Sequence, residues 1–181
     1  EFKNYPKKQE PYSIAFYGGM GSQANIDGFF RTYNSIWPLI KKQIPEARLY
    51  VIGSNPPESI KNLDDGKSTI ITGFVDDVKE YLGKVKVVVL PLNVAAGFRS
   101  RTVEVMAMGI PVVGTSLALD NILMEHGTHG YVSDDDGKMA KHIIDLLKDE
   151  QLYKNMSEKA IDFVESKYSI ESSYGILSNY L

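Results

Sequence analysis

The sequence predicts an α/β fold, a doubly wound parallel sheet of about six strands closed by a C-terminal helical tail. Three observations carry that expectation. Short apolar runs rich in β-branched residues recur along the chain, and stretches with helical spacing separate them. The runs are near-continuously apolar rather than alternating, the pattern of strands covered on both faces. Length agrees: 181 residues with 43% hydrophobic content suffice for one buried core. The 15 glycines and 8 prolines are too few for a disordered or collagen-like chain. Residues 1–181 therefore read as a single domain.

The first strand is residues 12–17 (YSIAFY), followed by a glycine-bearing loop. Ile26, Phe29, Phe30, Tyr33, Ile36, Trp37, Ile40 and Ile44 then recur at spacings of three and four, the stripe of an amphipathic helix. Pro38 must kink or divide that helix. Residues 47–52 (ARLYVI), 69–72 (TIIT) and 85–92 (VKVVVLPL) supply the second to fourth strands. A compact helix over 102–108 enters from a polar, arginine-bearing loop and is stopped by Gly109-Ile110-Pro111. Residues 111–115 (PVVGT) form a short fifth strand and 130–132 a weak sixth. Helical spacing over 139–147, 152–168 and 170–181 completes the chain, with no internal repeat and no linker. Right-handed crossovers make this βα order a Rossmann-like sheet, in which ligands sit at the carboxyl ends of the strands. The loops that can carry a site are therefore 18–25, 53–57, 73–77, 93–102 and 115–121.

Composition excludes several function classes. A net charge of −3 argues against gripping nucleic acid by bulk charge, so any bound anion must be held locally. The absence of cysteine removes disulfide scaffolds and thiolate catalysis, and three scattered histidines leave little for a zinc site. No apolar run nears the ~20 residues of a membrane span, and no signal peptide opens the chain, so a cytoplasmic protein is expected. The first residue is Glu1 rather than Met, as in a piece of a longer protein.

Two loops carry chemistry. Tyr17-Gly18-Gly19-Met20-Gly21-Ser22 places glycines directly after a strand and before a helix, where backbone N–H groups and the helix N-terminus can meet a phosphate. The spacing is not G-x-G-x-x-G, and Ile52-Gly53-Ser54 stands where an acidic residue would hold an NAD ribose, which disfavours a dehydrogenase. A tight turn without ligand is the plain alternative. The second loop brings Arg99, Ser100, Arg101 and Thr102 to a helix N-terminus beside an apolar strand, so that side-chain charge and helix dipole add for an anion. Glu104, in the first turn or so of that helix, can accept two hydrogen bonds from a vicinal diol such as a ribose. It can equally serve as a helix-dipole partner or pair with Arg99 or Arg101. Asp134-Asp135-Asp136 reads as a helix cap and turn, His126 and His129 as flanks of a glycine turn, and His142 as a surface residue of a helix.

The stretch 97–113, with Glu104 followed by Val-Met-Ala-Met-Gly-Ile-Pro-Val-Val, resembles the signature of family 4 glycosyltransferases of GT-B architecture (glycosyl transferases group 1). There the pattern is E-x7-E followed by an A-M-A-x-G-x-P-V-V-like run. The resemblance covers most of the chain: residues 12–19 look like the first strand and glycine loop of the family's C-terminal domain, and 48–53 (RLYVIG) like its second strand. Residues 70–77 (IITGFVDD), 87–92 and 127–132 (GTHGYV) resemble further segments in the same order.

The resemblance implies one half of a GT-B fold, the C-terminal, donor-binding domain of a transferase whose N-terminal acceptor domain is absent. It implies binding of a nucleotide-diphospho-sugar, with Glu104 on the ribose and Phe98, Arg99, Ser100, Arg101 and Thr102 facing the diphosphate and sugar. Phe74 and Val75 would pass by the base, and Gly18, Gly19 and Gly53 would line the donor site. The full-length enzyme would transfer a hexose-type sugar with retention, without metal or cofactor, and a membrane-peripheral position of that enzyme is compatible with the resemblance. The sequence also departs from the pattern. The first motif glutamate falls on Ala96, and the family's arginine and lysine after the first strand would fall near Met20 and near Asn25 or Ile26. Arg99 and Arg101 can compensate, a guanidinium fork suiting a diphosphate. A catalytically silent nucleotide-binding relative is the nearest competitor, followed by a sugar-nucleotide epimerase-like domain. A signalling receiver is disfavoured, because Tyr17-Gly18, Thr72-Gly73 and Thr115-Ser116 stand where its acidic residues and lysine would be.

Overall fold

The computed structural model describes residues 2, 5–94 and 100–168. Six strands form one parallel sheet: β1 (Ser13–Tyr17), β2 (Arg48–Ile52), β3 (Thr69–Gly73), β4 (Val87–Leu90), β5 (Val112–Gly114) and β6 (Gly130–Val132). Their spatial order is β3-β2-β1-β4-β5-β6. Pairing is in register from Ser13↔Arg48 to Tyr17↔Ile52 and from Ile14↔Val87 to Phe16↔Val89. The apolar runs predicted as strands are all strands, and the two central ones are fully enclosed: Ile14, Ala15, Phe16, Val87, Val88 and Val89 have no exposed surface. Edge strand β3 is only half-buried beyond Thr69.

The amphipathic stripe after β1 is divided rather than continuous. Helix α1 (Gln23–Arg31) gives way to a π-helical turn, Thr32–Ile36, before α2 (Trp37–Gln43). Pro38 sits in the first turn of α2, where a missing N–H costs least, so the wider turn ahead of it absorbs the break. Gly28 lets α1 lie close to the sheet, since a Cβ there would stand 2.5 Å from a Leu92 methyl. Phe16 and Phe29 meet edge to face beneath it at 6.1 Å between centroids.

The next crossovers are short: α3 (Glu58–Lys61) after β2 and α4 (Val78–Leu82) after β3. Helix α5 (Ser100–Ala107) follows β4, and Gly109 with φ +65° turns the chain back toward β5, as the predicted stop requires. Then come α6 (Ser116–Leu119), α7 (Asp136–Lys148) and α8 (Glu150–Tyr168). Helix α7 packs on α2, and α8 packs on α5 and α7, covering the sheet. The helix predicted over 170–181 lies outside the described residues.

Sheet order decides where a ligand can sit. The chain leaves β1 toward β2 and leaves β4 toward β5, in opposite directions, so the carboxyl ends of β1 and β4 part around a crevice.

Candidate functional site

The glycine loop after β1 is held against the end of β2. Gly18 N donates to Ile52 O (3.0 Å) and Met20 N to Ser54 O (2.8 Å). Asn25 Nδ2, from α1, donates to Gly19 O (2.7 Å). Met20 is 2% exposed and belongs to the core, so the position where the resemblance leads one to look for an arginine faces away from the crevice. Gly73 adopts a positive φ of +65° at the end of β3 and swings the following residue outward, leaving Phe74 76% exposed.

Two adjoining clefts lie along the carboxyl edge of the sheet. The first, about 230 Å³, lies between the ends of β1 and β4 and the first turn of α5, with Tyr17, Gly18, Asn25, Ser100, Arg101 and Thr102 on its walls and Leu90 and Leu92 at its floor. The second, about 150 Å³, lies over the ends of β2 and β3 and is lined by Gly19, Gly53, Ser54, Phe74 and Val75. Tyr17 and Arg101 line both. Among the described residues on these walls, Arg101 is the one cation. It stands in the first turn of α5, where unpaired backbone N–H groups and the helix dipole also favour negative charge.

Arg101 lies against Tyr17, its Cζ 5.7 Å from the ring centroid. Burial pushes the Tyr17 phenol above its ordinary pKa, the Glu104 carboxylate raises it further, and Arg101 opposes both. The phenol is therefore neutral over the physiological range.

The clefts gather most of the residues singled out from sequence. Gly18, Ser100, Arg101 and Thr102 line the first, and Gly19, Gly53, Phe74, Val75 and Arg101 the second. Glu104 is half-buried and lines neither, but lies near enough to act on Tyr17. Phe98, Arg99 and Ala96 lie outside the described residues. Sequence reasoning missed Tyr17 and Ser54. An aromatic residue closing a buried strand just before a glycine loop was the available signal for Tyr17.

The remaining polar clusters are architectural. Asp135 caps α7 by accepting from Lys138 N (2.7 Å), and Asp134 accepts from Ser116 N (2.9 Å) and Ser116 Oγ (2.8 Å). Those Ser116 bonds hold the Asp134 carboxyl below its usual range. His142 is not the surface residue expected: it is half-buried and stacks on Tyr131 at 4.0 Å between centroids, with His126 edge-on at 5.6 Å. Its ring faces inward because α7 packs that side against β6. Among the described residues no group of three or more histidine, cysteine or acidic side chains could hold a metal ion. Nor is any helix there long and apolar enough to cross a membrane.

The chain is 31% identical over 142 residues to the N-acetyl-alpha-D-glucosaminyl L-malate synthase of Bacillus anthracis, an alignment covering 75% of this chain and 36% of that protein. The chain thus spans little more than a third of the length of this curated relative. Its fold matches the solved C-terminal domain of a glycosyl transferase group 1 family protein from Francisella tularensis, with TM-score 0.72, 21% identity, and 93% and 90% of the two chains covered. It also matches a mutant of S. aureus TarM solved with fondaparinux, alpha-GlcNAc-glycerol and UDP, with TM-score 0.79, 20% identity, and 99% of this chain against 37% of that one. The family model described as glycosyl transferases group 1 matches residues 11–149. With that match over the sheet and both clefts, the chain belongs to the glycosyl transferases group 1 family.

Proposed function

We propose that this chain is the donor-binding domain of a glycosyltransferase and holds a nucleoside-diphospho-sugar across the two clefts. One observation carries the reading: the cation on their walls, Arg101, stands where they adjoin, at a helix N-terminus over the parting of β1 and β4. A diphosphate joins a nucleoside to a sugar, so its charge belongs at such a junction. On this reading the base lies toward Phe74 and Val75, and the sugar toward Ser100 and Thr102, with Phe98 and Arg99 as further donor-site residues. Glu104 takes the ribose hydroxyls, which requires it to reach the cleft once the nucleotide is in place. UDP is the first nucleotide to test, because the similar TarM structure was solved with it.

The full-length enzyme would transfer a hexose-type sugar with retention. Arg101 and Arg99 would stabilise the diphosphate as it leaves, protein cations serving where other enzymes use a metal ion. The acceptor would be held by an N-terminal domain not in this chain, in a cytoplasmic enzyme. This chain alone would bind the donor without transferring the sugar.

Calorimetric titration with UDP, GDP and ADP and their sugar conjugates tests the reading. One diphosphate should bind, and Arg101→Ala and Glu104→Ala should each weaken it by at least ~10-fold, about 1.4 kcal/mol. No binding at millimolar concentration, or wild-type affinity in both variants, overturns it. The core position of Met20 favours a second reading, a relative that binds nucleotide but has lost transfer. Sugar transfer by the full-length protein separates the two.

A further inference from the structure

We infer that Tyr17 is a positioning residue of this donor site, its ring holding the Arg101 guanidinium on the wall that the two clefts share. The inference rests on the donor-binding reading above and adds to it a residue that no motif marks.

Arg101 is exposed and carries a long, flexible side chain, so something must hold its charge at the junction rather than leave it spread over solvent. A carboxylate would hold it but would also neutralise it and occupy its donors. Among the described residues no ion pair joins Arg101 to Glu104, although both act on Tyr17. Arg101 instead meets Tyr17, its Cζ 5.7 Å from the ring centroid and its guanidinium also acting on the phenol as a hydrogen-bond partner. An aromatic face attracts a guanidinium while leaving its full charge available to an incoming anion.

Tyr17 is well placed for this. It is the last residue of β1, paired with Ile52 in the ladder, and its neighbour Gly18 is tied to Ile52 O. The ring therefore projects from the end of a central, paired strand, whereas Arg101 projects from the first turn of α5. Both residues line both clefts, so the contact is made where a diphosphate running from one to the other would lie.

The test compares wild type with Tyr17→Phe, Tyr17→Leu, Tyr17→Thr, Arg101→Met and Tyr17→Leu/Arg101→Met, each titrated with UDP and with uridine and each followed through urea unfolding. Tyr17→Leu and Tyr17→Thr should weaken UDP about fivefold and leave uridine unchanged, while Tyr17→Phe stays within about twofold of wild type. In the Arg101→Met background, Tyr17→Leu should cost nothing further. Additive losses, an equal loss of uridine and UDP, or wild-type UDP affinity in Tyr17→Leu each overturn the inference. Unfolding of both non-aromatic variants while Tyr17→Phe remains folded also overturns it, since the ring then serves the fold. If wild type binds neither UDP nor uridine, the donor-site reading fails and this inference falls with it. Nucleotide binding by wild type with no Tyr17 effect refutes the inference alone.

Discussion

Gly53 stands so close to the glycine loop that a Cβ at this position would lie 1.9 Å from the carbonyl oxygen of Gly18. The contact is backbone against backbone, so no rotamer change relieves it. Gly53→Ala must push the end of β2 away from β1, break the Gly18–Ile52 bond and widen the second cleft. Urea unfolding should show a loss of about 3 kcal/mol or more, at or above the usual cost of overpacking. Gly21, in the same glycine-rich loop, has open space where a Cβ would stand, with nothing within 4 Å, and Gly21→Ala should leave stability within about 0.5 kcal/mol of wild type. Equal effects at the two positions would contradict this account.

Arg31 joins three segments through its guanidinium. It donates to Asp136 Oδ1, Asn93 Oδ1 and Asp134 O, each at 2.7 Å. With its side chain 18% exposed, the network is worth more than a surface ion pair and less than a fully buried one. Arg31→Met should cost about 1–3 kcal/mol in chemical unfolding, and Arg31→Lys should recover little, because an ammonium cannot span three acceptors in a fork. Recovery of full stability by lysine would show that charge alone matters.

His142 links stability to pH. Burial lowers its pKa first and His126 adds to the effect, so the folded state favours the neutral ring. A folded pKa below the unfolded value of about 6.5 gives stability that is complete above that pH and lost as pH falls through the folded value. The urea midpoint should therefore drop between about pH 7 and pH 5, and His142→Phe, which keeps a ring against Tyr131, should flatten part of that drop. An unchanged profile in the variant would refute the assignment. His129 is shifted in the same direction, by burial first, and accounts for a residual slope.

Phe74 separates binding from folding. Its side chain is 76% exposed and contributes little to the core, so Phe74→Ala should leave the unfolding midpoint within about 0.5 kcal/mol of wild type. If a nucleobase rests against it, the same change should weaken nucleotide binding about fivefold or more, within the range for loss of one aromatic stack. Wild-type affinity in Phe74→Ala would move the base elsewhere.

Much of the fold was legible in the residues because parallel strands buried on both faces must be apolar throughout. The runs around Ile14, Val51, Val88 and Val113 satisfy that condition and became β1, β2, β4 and β5. The division of the long helix was legible from Pro38, but the π-helical turn that accommodates it was not. Its geometry depends on packing, including the Thr32 hydroxyl bond to Gly28 O at 2.9 Å. Candidate residues in glycine- or arginine-bearing loops, which line the two clefts, stood out in the sequence. Tyr17 did not, because a tyrosine ending a strand is ordinary until its neighbours in space are known.

By itself, then, the sequence determined the order of strands and helices, the loops that reach the carboxyl edge, and the family signature around Glu104. These depend on local composition and spacing, which a linear chain displays directly. The tertiary structure alone decided that Met20 turns into the core, that Gly53 abuts Gly18, and that Tyr17 and Arg101 share the wall between two clefts. Each of those joins residues from different elements, and their meeting is set by sheet order and register rather than by any feature of the residues taken singly.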